Sequence, residues 1–375
     1  MTRRMICLML AALLGLAACG TRAESAPGSR LGFELLEYLA DGRENQFVSP
    51  VSLAFALSMA SAGARGETEE ALLTALDAEN ARDVASLGGA LSDSGLRAAN
   101  AAFVRDGLAL RDGYLDAMDA LFDAQALPLD DAARVNAWVK ERTDGLIDRL
   151  LDGAPAPDVM LLLVNAIAMQ AKWEQPFRDF MTCMDAFCAP DGEKRTLFMH
   201  RTFDAPYGER DGAQYIRLDY ADSDLYALVI LPEDGGMDGV LSALAAEGLD
   251  GFALPEAESS VALSLPKLDV SASNDLREPL CAMGLGVIFD AEADFSGMSD
   301  ERLSVSGVIQ KVRVQVDEEG TRAAAATGVA AALGALEDDR QVIEMNVNRP
   351  FVFIIADEPT GAVCFAGVVA DPTAR

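Results

Sequence analysis

Hydrophobic and polar positions divide the chain into a helical first part and a strand-rich second part. Over residues 31–152 apolar side chains recur every three or four positions, as at Leu53, Leu57 and Ala60, which is the spacing of one helix face. The segment 135–151 is amphipathic in the same way and predicts a further helix. The remainder of the chain has the spacing of strands.

The second part contains apolar and period-two runs that predict strands. In 311–316, Val312, Val314 and Val316 alternate with polar side chains, so one face is apolar and the other is polar. The other predicted strands are 225–232, 261–270, 350–355 and 362–369. Helices followed by many strands favour an α+β fold, with helices packed on large mixed or antiparallel sheets. Because no repeat or internal linker is evident, we expect a single domain over residues 30–375.

The first 18 residues have the pattern of an export signal. Two arginines precede an apolar run over 5–16, and small residues lead to Cys19. The run is shorter than the roughly 20 residues that a membrane-spanning helix needs. The Leu-Ala-Ala-Cys ending is similar to a bacterial lipoprotein box, with Cys19 as the lipidated residue, and an ordinary signal peptide is the alternative. We therefore expect a signal peptide at 1–18 and a lipidated tether at 19–29, in a protein that is exported and anchored to the cell envelope or extracellular.

Charge and histidine content exclude several classes of function. The chain has 60 acidic and 30 basic residues, a net charge of −30, whereas a nucleic-acid binder needs clustered lysines and arginines to neutralise phosphates. The single histidine, His200, excludes a multi-histidine zinc site and argues against a Ser-His-Asp hydrolase.

Four cysteines follow the predicted lipidation site. Cys183 and Cys188 are close enough in sequence for a local disulfide in an exported protein, and two free thiols are the alternative. Cys281 and Cys364 lie in apolar runs, so we expect both to be buried and unreactive.

The segment 317–341 fits none of the usual connecting structures. An alanine-rich helix would be interrupted by Gly320, Gly328 and Gly334, and a linker would be more polar. A latent strand fits better, because every second residue is uncharged and all but the last are small: Thr321, Ala323, Ala325, Thr327, Val329, Ala331 and Leu333. The one charge in that stretch, Arg322, falls on the opposite face, so the segment can enter a packed sheet without burying an ion.

Eight blocks of the sequence, taken in order, resemble those of the serpin family. FVSPVSLAFALSMASAGARGETEEAL (47–72) resembles the opening helix motif of the family, and DEEGTRAAAATG (317–328) resembles the hinge of its inhibitory members. The other blocks are 96–115, 135–151, 164–177, 225–234, 279–299 and 349–372. The chain is identified as a member of this family, which implies a serpin-like α+β fold with an exposed reactive-centre loop.

The resemblance implies a suicide inhibitor of proteases rather than an enzyme. A serine protease, with a cysteine protease as the second option, would cleave the loop and form an acyl-enzyme. The cut loop would then enter the central sheet as a new strand and carry the protease to the opposite pole. The chemistry belongs to the protease, so we expect no catalytic residue, cofactor or metal in this chain. A non-inhibitory serpin that acts as a binding or storage module is the alternative, because Arg322 stands where the family usually has an acidic residue.

The resemblance also assigns roles to residues near the loop. The implied hinge consists of Glu318, Glu319, Gly320, Thr321, Ala323, Ala325 and Thr327. In this hinge Gly320 permits the turn and Thr321 is the first side chain to be buried. Glu318 matches the acidic position that pairs with Lys267, although both charges could instead be solvated. Trp173 matches a tryptophan at the top of the sheet, with plain core packing as the alternative.

A polar cluster is implied beneath the opening of the sheet. Ser49, Ser52 and Asn165 match its members, and Gln310 stands where the family usually has a histidine. Glutamine both donates and accepts hydrogen bonds, so the network can persist while the pH dependence of a histidine is lost. The resemblance gives no role to His200, which we interpret as an ordinary surface or core residue.

Two counts along the loop give different scissile residues. Counting forward from Glu318 by the family spacing gives Gly334, and counting back from Pro350 gives Asp339, which indicates an insertion. We prefer the first count, because the inserted strand needs a set length. The candidates for the reactive bond are Leu333, Gly334, Ala335, Leu336 and Arg340. Leucine and alanine there favour an elastase- or subtilisin-like target, whereas arginine would favour a trypsin-like one.

Charge also limits the partners that the resemblance leaves open. Family members that bind sulfated polysaccharides use basic clusters, and this acidic chain has none evident, so we expect neither a heparin-type cofactor nor nucleic acid. We expect a monomer that contacts the membrane only through lipid on Cys19.

Overall fold

The computed structural model describes residues 25–93, 96–156, 159–169, 171–321 and 341–374. Eight α-helices form within these ranges: α1 (Ser29–Leu39), α2 (Pro50–Gly63), α3 (Gly66–Ala75), α4 (Ala81–Asp93), α5 (Asp112–Phe122), α6 (Ala132–Arg142), α7 (Met237–Glu247) and α8 (Arg277–Leu280). Short turns of 3-10 or π-helix lie at Asp179–Met181, Gly248–Phe252, Cys281–Leu285 and Gly286–Phe289.

The same ranges contain sixteen strands, distributed over three sheets. They are β1 (Gln46–Val48), β2 (Leu96–Val104), β3 (Gln125–Pro128), β4 (Leu161–Met169), β5 (Ala171–Lys172), β6 (Cys183–Ala189), β7 (Gly192–Arg210), β8 (Ala213–Asp219), β9 (Leu225–Leu231), β10 (Glu258–Pro266), β11 (Leu268–Asp275), β12 (Ile309–Val316), β13 (Gly320–Thr321), β14 (Ile343–Asn346), β15 (Phe351–Asp357) and β16 (Val363–Val369).

The largest sheet has nine strands, in the order β1-β16-β15-β9-β8-β7-β10-β14, with β6 added beside β7. Every residue of β15 and β16 is buried. Both strands are hydrogen bonded along both edges, β15 to β16 and β9, and β16 to β15 and β1. Strands that are covered on both faces read as continuous apolar runs, which explains why the sequence showed no alternation here.

The remaining strands form a four-stranded sheet, β11-β12-β13-β5, and a three-stranded sheet, β3-β2-β4. Since a single residue separates β4 from β5, these two sheets are neighbouring parts of one divided sheet. Helix α2 packs against β4 and against β16, so it lies between the divided sheet and the larger one.

The sequence of α2 explains its position. Ser49 caps the helix by accepting a hydrogen bond from the backbone N–H of Ser52, and Pro50 occupies the first turn, where a missing N–H costs nothing. Nearly all of its side chains are buried, as expected for a helix that is apolar on every face.

The α+β class and most of the predicted strands are confirmed. Residues 225–232, 311–316, 350–355 and 362–369 correspond to β9, β12, β15 and β16. In β12 the valines are buried and the polar side chains between them are partly exposed, as the period-two pattern predicts. The predicted helical part also contains β1, β2 and β3, where short apolar runs resemble buried helix as much as strand.

Two further predictions of elements were wrong. The predicted strand 261–270 is two strands in different sheets, β10 and β11, which are separated by Lys267. Pro266 has no N–H to donate to a ladder, and the N–H of Lys267 makes a last bond to β7, to Leu197 O at 2.9 Å. The predicted helix 135–151 ends at Arg142. Asp144 and Gly145 follow with φ of 50° and 74°, a left-handed conformation that ends helices.

Folded structure is already present at the end of the predicted tether. Ala26 and Ser29 are buried, and the backbone N–H of Gly28 donates to Leu76 O at 2.8 Å. The predicted signal peptide and Cys19 lie outside the described residues. Among the helices that are described, none combines the length and the apolar character needed to cross a membrane.

The cysteines differ from expectation in two respects. Cys183 and Cys188 lie five residues apart on the extended strand β6, a separation of about 16 Å that places them on opposite faces. A disulfide between them is excluded, and both thiols are free and exposed. Cys281 is exposed, so the prediction of its burial was wrong, whereas Cys364 in β16 is fully buried. Burial raises the pKa of the Cys364 thiol well above its usual value.

Candidate functional site

Within the part of the chain that the structure describes, the divided sheet has two edges without a partner strand over most of their length. On one edge, β12 pairs with β11 throughout. On its other edge, within the described ranges, only Val316 is paired, with Thr321 of β13. Strand β4 pairs with β2 throughout, and no ladder between described residues joins β4 to β12. The N–H and C=O groups on these facing edges are positioned to pair with one more strand.

Both ends of this opening bring the two edges close together. At the end that we call the upper end, β13 is hydrogen bonded to β12 on one side and to β5 on the other. At the lower end, Leu161 and Leu163 of β4 line an apolar pocket with Gly307 and Val308, which lead into β12. At its upper end the opening therefore has the width of one strand, and residues 320–321 already occupy that place.

A tight turn at 317–320 reverses the chain from β12 into β13. Asp317 Oδ1 accepts the backbone N–H groups of Glu319 and Gly320 at 3.0 and 3.2 Å, and the N–H of Asp317 donates to Gly320 O at 2.9 Å. A Cβ atom added to Gly320 would lie 2.1 Å from the carbonyl oxygen of Ala171. Only glycine permits this approach to β5.

Thr321 is the first residue after the turn, and its side chain is buried at 5% exposure. Its hydroxyl lies 2.6 Å from the hydroxyl of Tyr220, whose ring stacks on Trp173 at 4.5 Å between centroids. Burial raises the pKa of the Tyr220 hydroxyl, so this group is neutral. The pocket around Thr321 is closely packed, and a long or charged side chain would not fit there.

Trp173 connects the turn to the strand beside it. The indole Nε1–H donates to Asp317 O at 2.9 Å, and the backbone N–H of Trp173 donates to Glu319 O at 2.8 Å. The ring is buried at 3% exposure. This residue therefore combines core packing with two hydrogen bonds that hold the turn.

Glu318 forms a buried ion pair at the upper end. Its carboxylate accepts from Lys267 Nζ at 2.6 Å and from the hydroxyl of Thr182 at 2.8 Å, and the residue is 8% exposed. Burial opposes ionisation of the carboxyl, but the two donors outweigh burial and hold the pKa of Glu318 below its usual value. The backbone N–H of Phe177 also donates to Glu318 O at 2.9 Å. The turn is thereby bound to three separate segments of the chain.

A second polar cluster joins α2 to the start of β12. The Gln310 side chain accepts from Ser49 N and donates to Ser49 O, both at 2.9 Å. The hydroxyl of Ser49 donates to Cys364 O at 2.6 Å, and its oxygen also accepts from Ser52 N at 3.3 Å. Glutamine is therefore both donor and acceptor at the position where the family resemblance implies a histidine.

Asn165 lies apart from this cluster in its hydrogen bonding. Its Nδ2 donates to Asn100 Oδ1 at 2.6 Å, across β2 and β4, and Asn100 in turn donates to Phe122 O at 2.7 Å. The Oδ1 atom of Asn165 is buried with no hydrogen-bond partner among the described residues. The structure thus brings Ser49, Ser52 and Gln310 together and gives Asn165 a different partner.

Several residues singled out from the sequence lie outside the described residues. They are Cys19, Ala323, Ala325, Thr327, Leu333, Gly334, Ala335, Leu336 and Arg340. The described part of the predicted hinge is therefore 318–321.

Comparison with known proteins identifies the family. The family model described as "Serpin (serine protease inhibitor)" matches residues 27–372. The chain is a serpin. This family includes inhibitors of serine proteases as well as non-inhibitory members, and its members are not enzymes.

Individual relatives agree with this assignment. A serpin-like protein of Thermococcus kodakarensis is 34% identical over 358 residues, which cover 91% of this chain and 84% of that protein. The leukocyte elastase inhibitor of Bos taurus is 31% identical over 376 residues, covering 93% and 99%. The crystal structure of the thermophilic serpin tengpin in its native state is 26% identical, with a TM-score of 0.82 over 92% of this chain and 93% of that one.

Sequence reasoning missed three residues at the opening, Thr182, Tyr220 and Asn100. Asn100 carried a signal, because it is the lone amide in LRAANAAFV (96–104), a run that is small or apolar apart from Arg97. Thr182 and Tyr220 lie more than 100 residues from their partners in the hinge, and nothing in the local pattern distinguishes them.

Proposed function

We propose that this serpin inhibits serine proteases by trapping them as covalent acyl-enzymes while its cleaved loop enters the divided sheet. The observation that carries the proposal is the pairing of Gly320 and Thr321 between β12 and β5, directly above two unpaired edges. A strand that continues from Thr321 would run antiparallel to β12 and fill the opening.

The sequence that follows Thr321 supports insertion. Its inward-facing set contains only small uncharged residues until Leu333, so its entry buries no ion. With about 15 inserted residues at a net 0.5–1.5 kcal/mol for each hydrogen bond, insertion would stabilise the molecule by on the order of 10–20 kcal/mol. This is as large as the whole stability of a typical domain, so the uncleaved fold is metastable.

The enzyme would be stopped after its first chemical step. Its nucleophile attacks the carbonyl of the reactive bond, the new amino end departs, and the acyl-enzyme ester remains. Insertion then pulls the acylated residue and the protease toward the lower end of the opening. Displacement by even about 1 Å from the productive geometry slows the remaining hydrolysis strongly.

The target that the loop favours is an elastase- or subtilisin-like protease, acting at one of the candidate residues between Leu333 and Leu336. The similarity to a leukocyte elastase inhibitor supports this choice. Cleavage after Arg340 by a trypsin-like enzyme is the second option. The proposed location is the cell envelope or its exterior, with Cys19 as a lipid anchor, since a basic start, a short apolar run and a Leu-Ala-Ala-Cys ending precede the folded domain.

The proposal is tested by mixing the protein, beginning at Thr21, with elastase, subtilisin and trypsin separately. We expect an adduct of protein and protease that survives boiling in detergent, and the peptide released on cleavage identifies the reactive bond. Clean cleavage with no adduct for all three enzymes would favour a non-inhibitory binding or storage module.

Thr321→Arg tests the route of insertion. The arginine cannot be accommodated beside Tyr220, so we expect the variant to be cleaved as a substrate, with at least a tenfold lower yield of adduct per cleavage. Gln315→Arg is the matched control, because the same side chain is added at a partly exposed position of β12. If Thr321→Arg traps protease as well as Gln315→Arg does, the loop does not enter through this site.

A further inference from the structure

The only histidine of the chain lies between a thiol and a hydroxyl on the nine-stranded sheet. His200 Nε2 is 3.4 Å from Cys183 Sγ, and His200 Nδ1 is 3.0 Å from Ser264 Oγ. The three residues come from β6, β7 and β10, which are adjacent strands. Ser264 is directly opposite His200 in the ladder, and Cys183 is opposite Phe198, two positions away on the same face.

This arrangement has the form of a nucleophile, a base and a group that orients the base. With a proton on Nδ1 that is donated to Ser264 Oγ, the lone pair of Nε2 faces the thiol. Ser264 is buried at 9% exposure, and the His200 ring lies near the buried ring of Phe198 with 6.4 Å between centroids. The ring is therefore held in place, while Cys183 itself is exposed to solvent.

The surroundings exclude two other uses of the pair. No group of three or more possible metal ligands occurs among the described residues, so the pair lacks the further ligands that a zinc site needs. Cys183 is the first residue of β6 and is exposed to solvent, which favours a reaction that needs access over one that needs an enclosed substrate. Exchange with a disulfide requires a base that takes the thiol proton and access for the disulfide, and the geometry of this site supplies both.

We propose that Cys183 is a histidine-assisted thiol that forms mixed disulfides with small-molecule disulfides. In the step, His200 Nε2 takes the thiol proton while Cys183 Sγ attacks one sulfur of the disulfide RSSR. The bond between Cys183 and SR forms, the S–S bond of RSSR breaks, and the departing thiolate takes the proton back from the imidazolium to leave as RSH. The step needs no further oxidant, and it is reversed by excess thiol.

The chain supplies its own internal control. Cys188 lies on the same strand and is also exposed, but it faces the other side, away from His200. Cys281 is a third exposed thiol, and Cys364 is buried and reports on the integrity of the fold. The proposal is independent of protease inhibition and stands or fails separately from it.

The test is a time course of modification by oxidised glutathione, followed at each cysteine by mass spectrometry of peptides. At pH 7 we expect Cys183 to react at least about threefold faster than Cys188 and Cys281, because the imidazole takes the proton from the attacking thiol. As the pH falls from 8 to 6, the ratio of the Cys183 rate to the Cys188 rate should rise, because an imidazole replaces hydroxide as the base. If Cys183 reacted faster only because it is more exposed, the ratio of the Cys183 rate to the Cys188 rate would be the same at every pH.

His200→Gln removes the base and keeps a side chain that can hydrogen bond to Ser264. We expect its Cys183 rate to fall to that of Cys188, with Cys188 unchanged and Cys364 still protected. A ratio that stays constant with pH in the wild-type protein, or a variant that keeps the wild-type ratio, overturns the proposal. If the variant does not fold, the pH dependence in the wild-type protein still decides.

Discussion

The two sheet systems of this serpin are built from similar apolar strands but differ in how their edges are used. In the nine-stranded sheet, β15 and β16 are paired along both edges and buried at every residue. Among the described residues of the divided sheet, β4 and β12 are each paired along one edge only, apart from the contact at Thr321. The first sheet has no capacity for another strand in its interior, whereas the second is incomplete. In the proposed mechanism, the free energy released on insertion would come from pairing these edges with the cleaved strand.

Cleavage of the loop should give the largest change in stability that follows from the difference between the two sheets. If the cut strand fills the opening, unfolding of the cleaved protein should cost on the order of 10–20 kcal/mol more than unfolding of the intact protein, from the added hydrogen bonds alone. The measurement is the thermal midpoint before and after limited proteolysis between residues 322 and 340. An unchanged midpoint would mean that the two edges do not accept a strand.

Truncation of a core side chain in the nine-stranded sheet should destabilise the intact and the cleaved protein equally. Phe353 lies in the middle of β15 and is completely buried, so Phe353→Ala should lower the free energy of unfolding by about 3–5 kcal/mol. Because this sheet does not change when the loop inserts, the gain on cleavage should be the same as in the wild-type protein. Calorimetry of both forms measures it, and a gain that shrinks with the mutation would show that the two sheets are coupled.

Gly320→Ala tests the close approach at the top of the opening. The added Cβ would collide with Ala171 O, so we expect a loss of about 1–3 kcal/mol in the intact protein. Gly307→Ala is the matched control, because a Cβ there meets no atom within 4 Å. Denaturant unfolding compares the two, and equal effects would contradict the assigned packing of β13 against β5.

The smallest expected effect concerns the ion pair of Glu318. Its pKa is lower in the folded state than its ordinary value of 4.5, so ionised Glu318 stabilises the fold above that pH and the contribution is lost as the pH falls through the folded value. Glu318→Gln should cost about 1 kcal/mol at pH 7 and should flatten the dependence of stability on pH below about 5. Unfolding of both proteins between pH 3 and pH 7 measures this. A parallel pH dependence in the two would show that Lys267 and Thr182 do not favour the charged form.

The sequence predicted the elements that follow a local rule. The alternation of β12 and the fully apolar runs of β15 and β16 were sufficient to assign strands. The small uncharged residues at alternate positions after Gly320 indicated a segment that can enter a packed sheet. Those signals are read within a few residues, where periodicity and glycine content carry most of the information.

The contacts between distant segments could not be predicted in the same way. The partners of Thr321 and Glu318, Tyr220 and Thr182, are set by the folded arrangement and leave no periodic signal. The division of 261–270 at Lys267 was missed because the segment was assigned as one alternating strand, whereas the chain passes there from one sheet to the other. His200 had no recognisable motif, because its neighbours Cys183 and Ser264 approach only across three strands.

Gln310 affects how the hydrogen bonds at the start of β12 respond to pH. A carboxamide does not titrate, so the two bonds between Gln310 and Ser49 hold equally well in acidic and in neutral fluid. Sensitivity to acid at the opening would therefore arise at the upper end, where Glu318 lies. Acidification would weaken the ion pair that holds the turn at 317–320, while the hydrogen bonds between Gln310 and Ser49 persist.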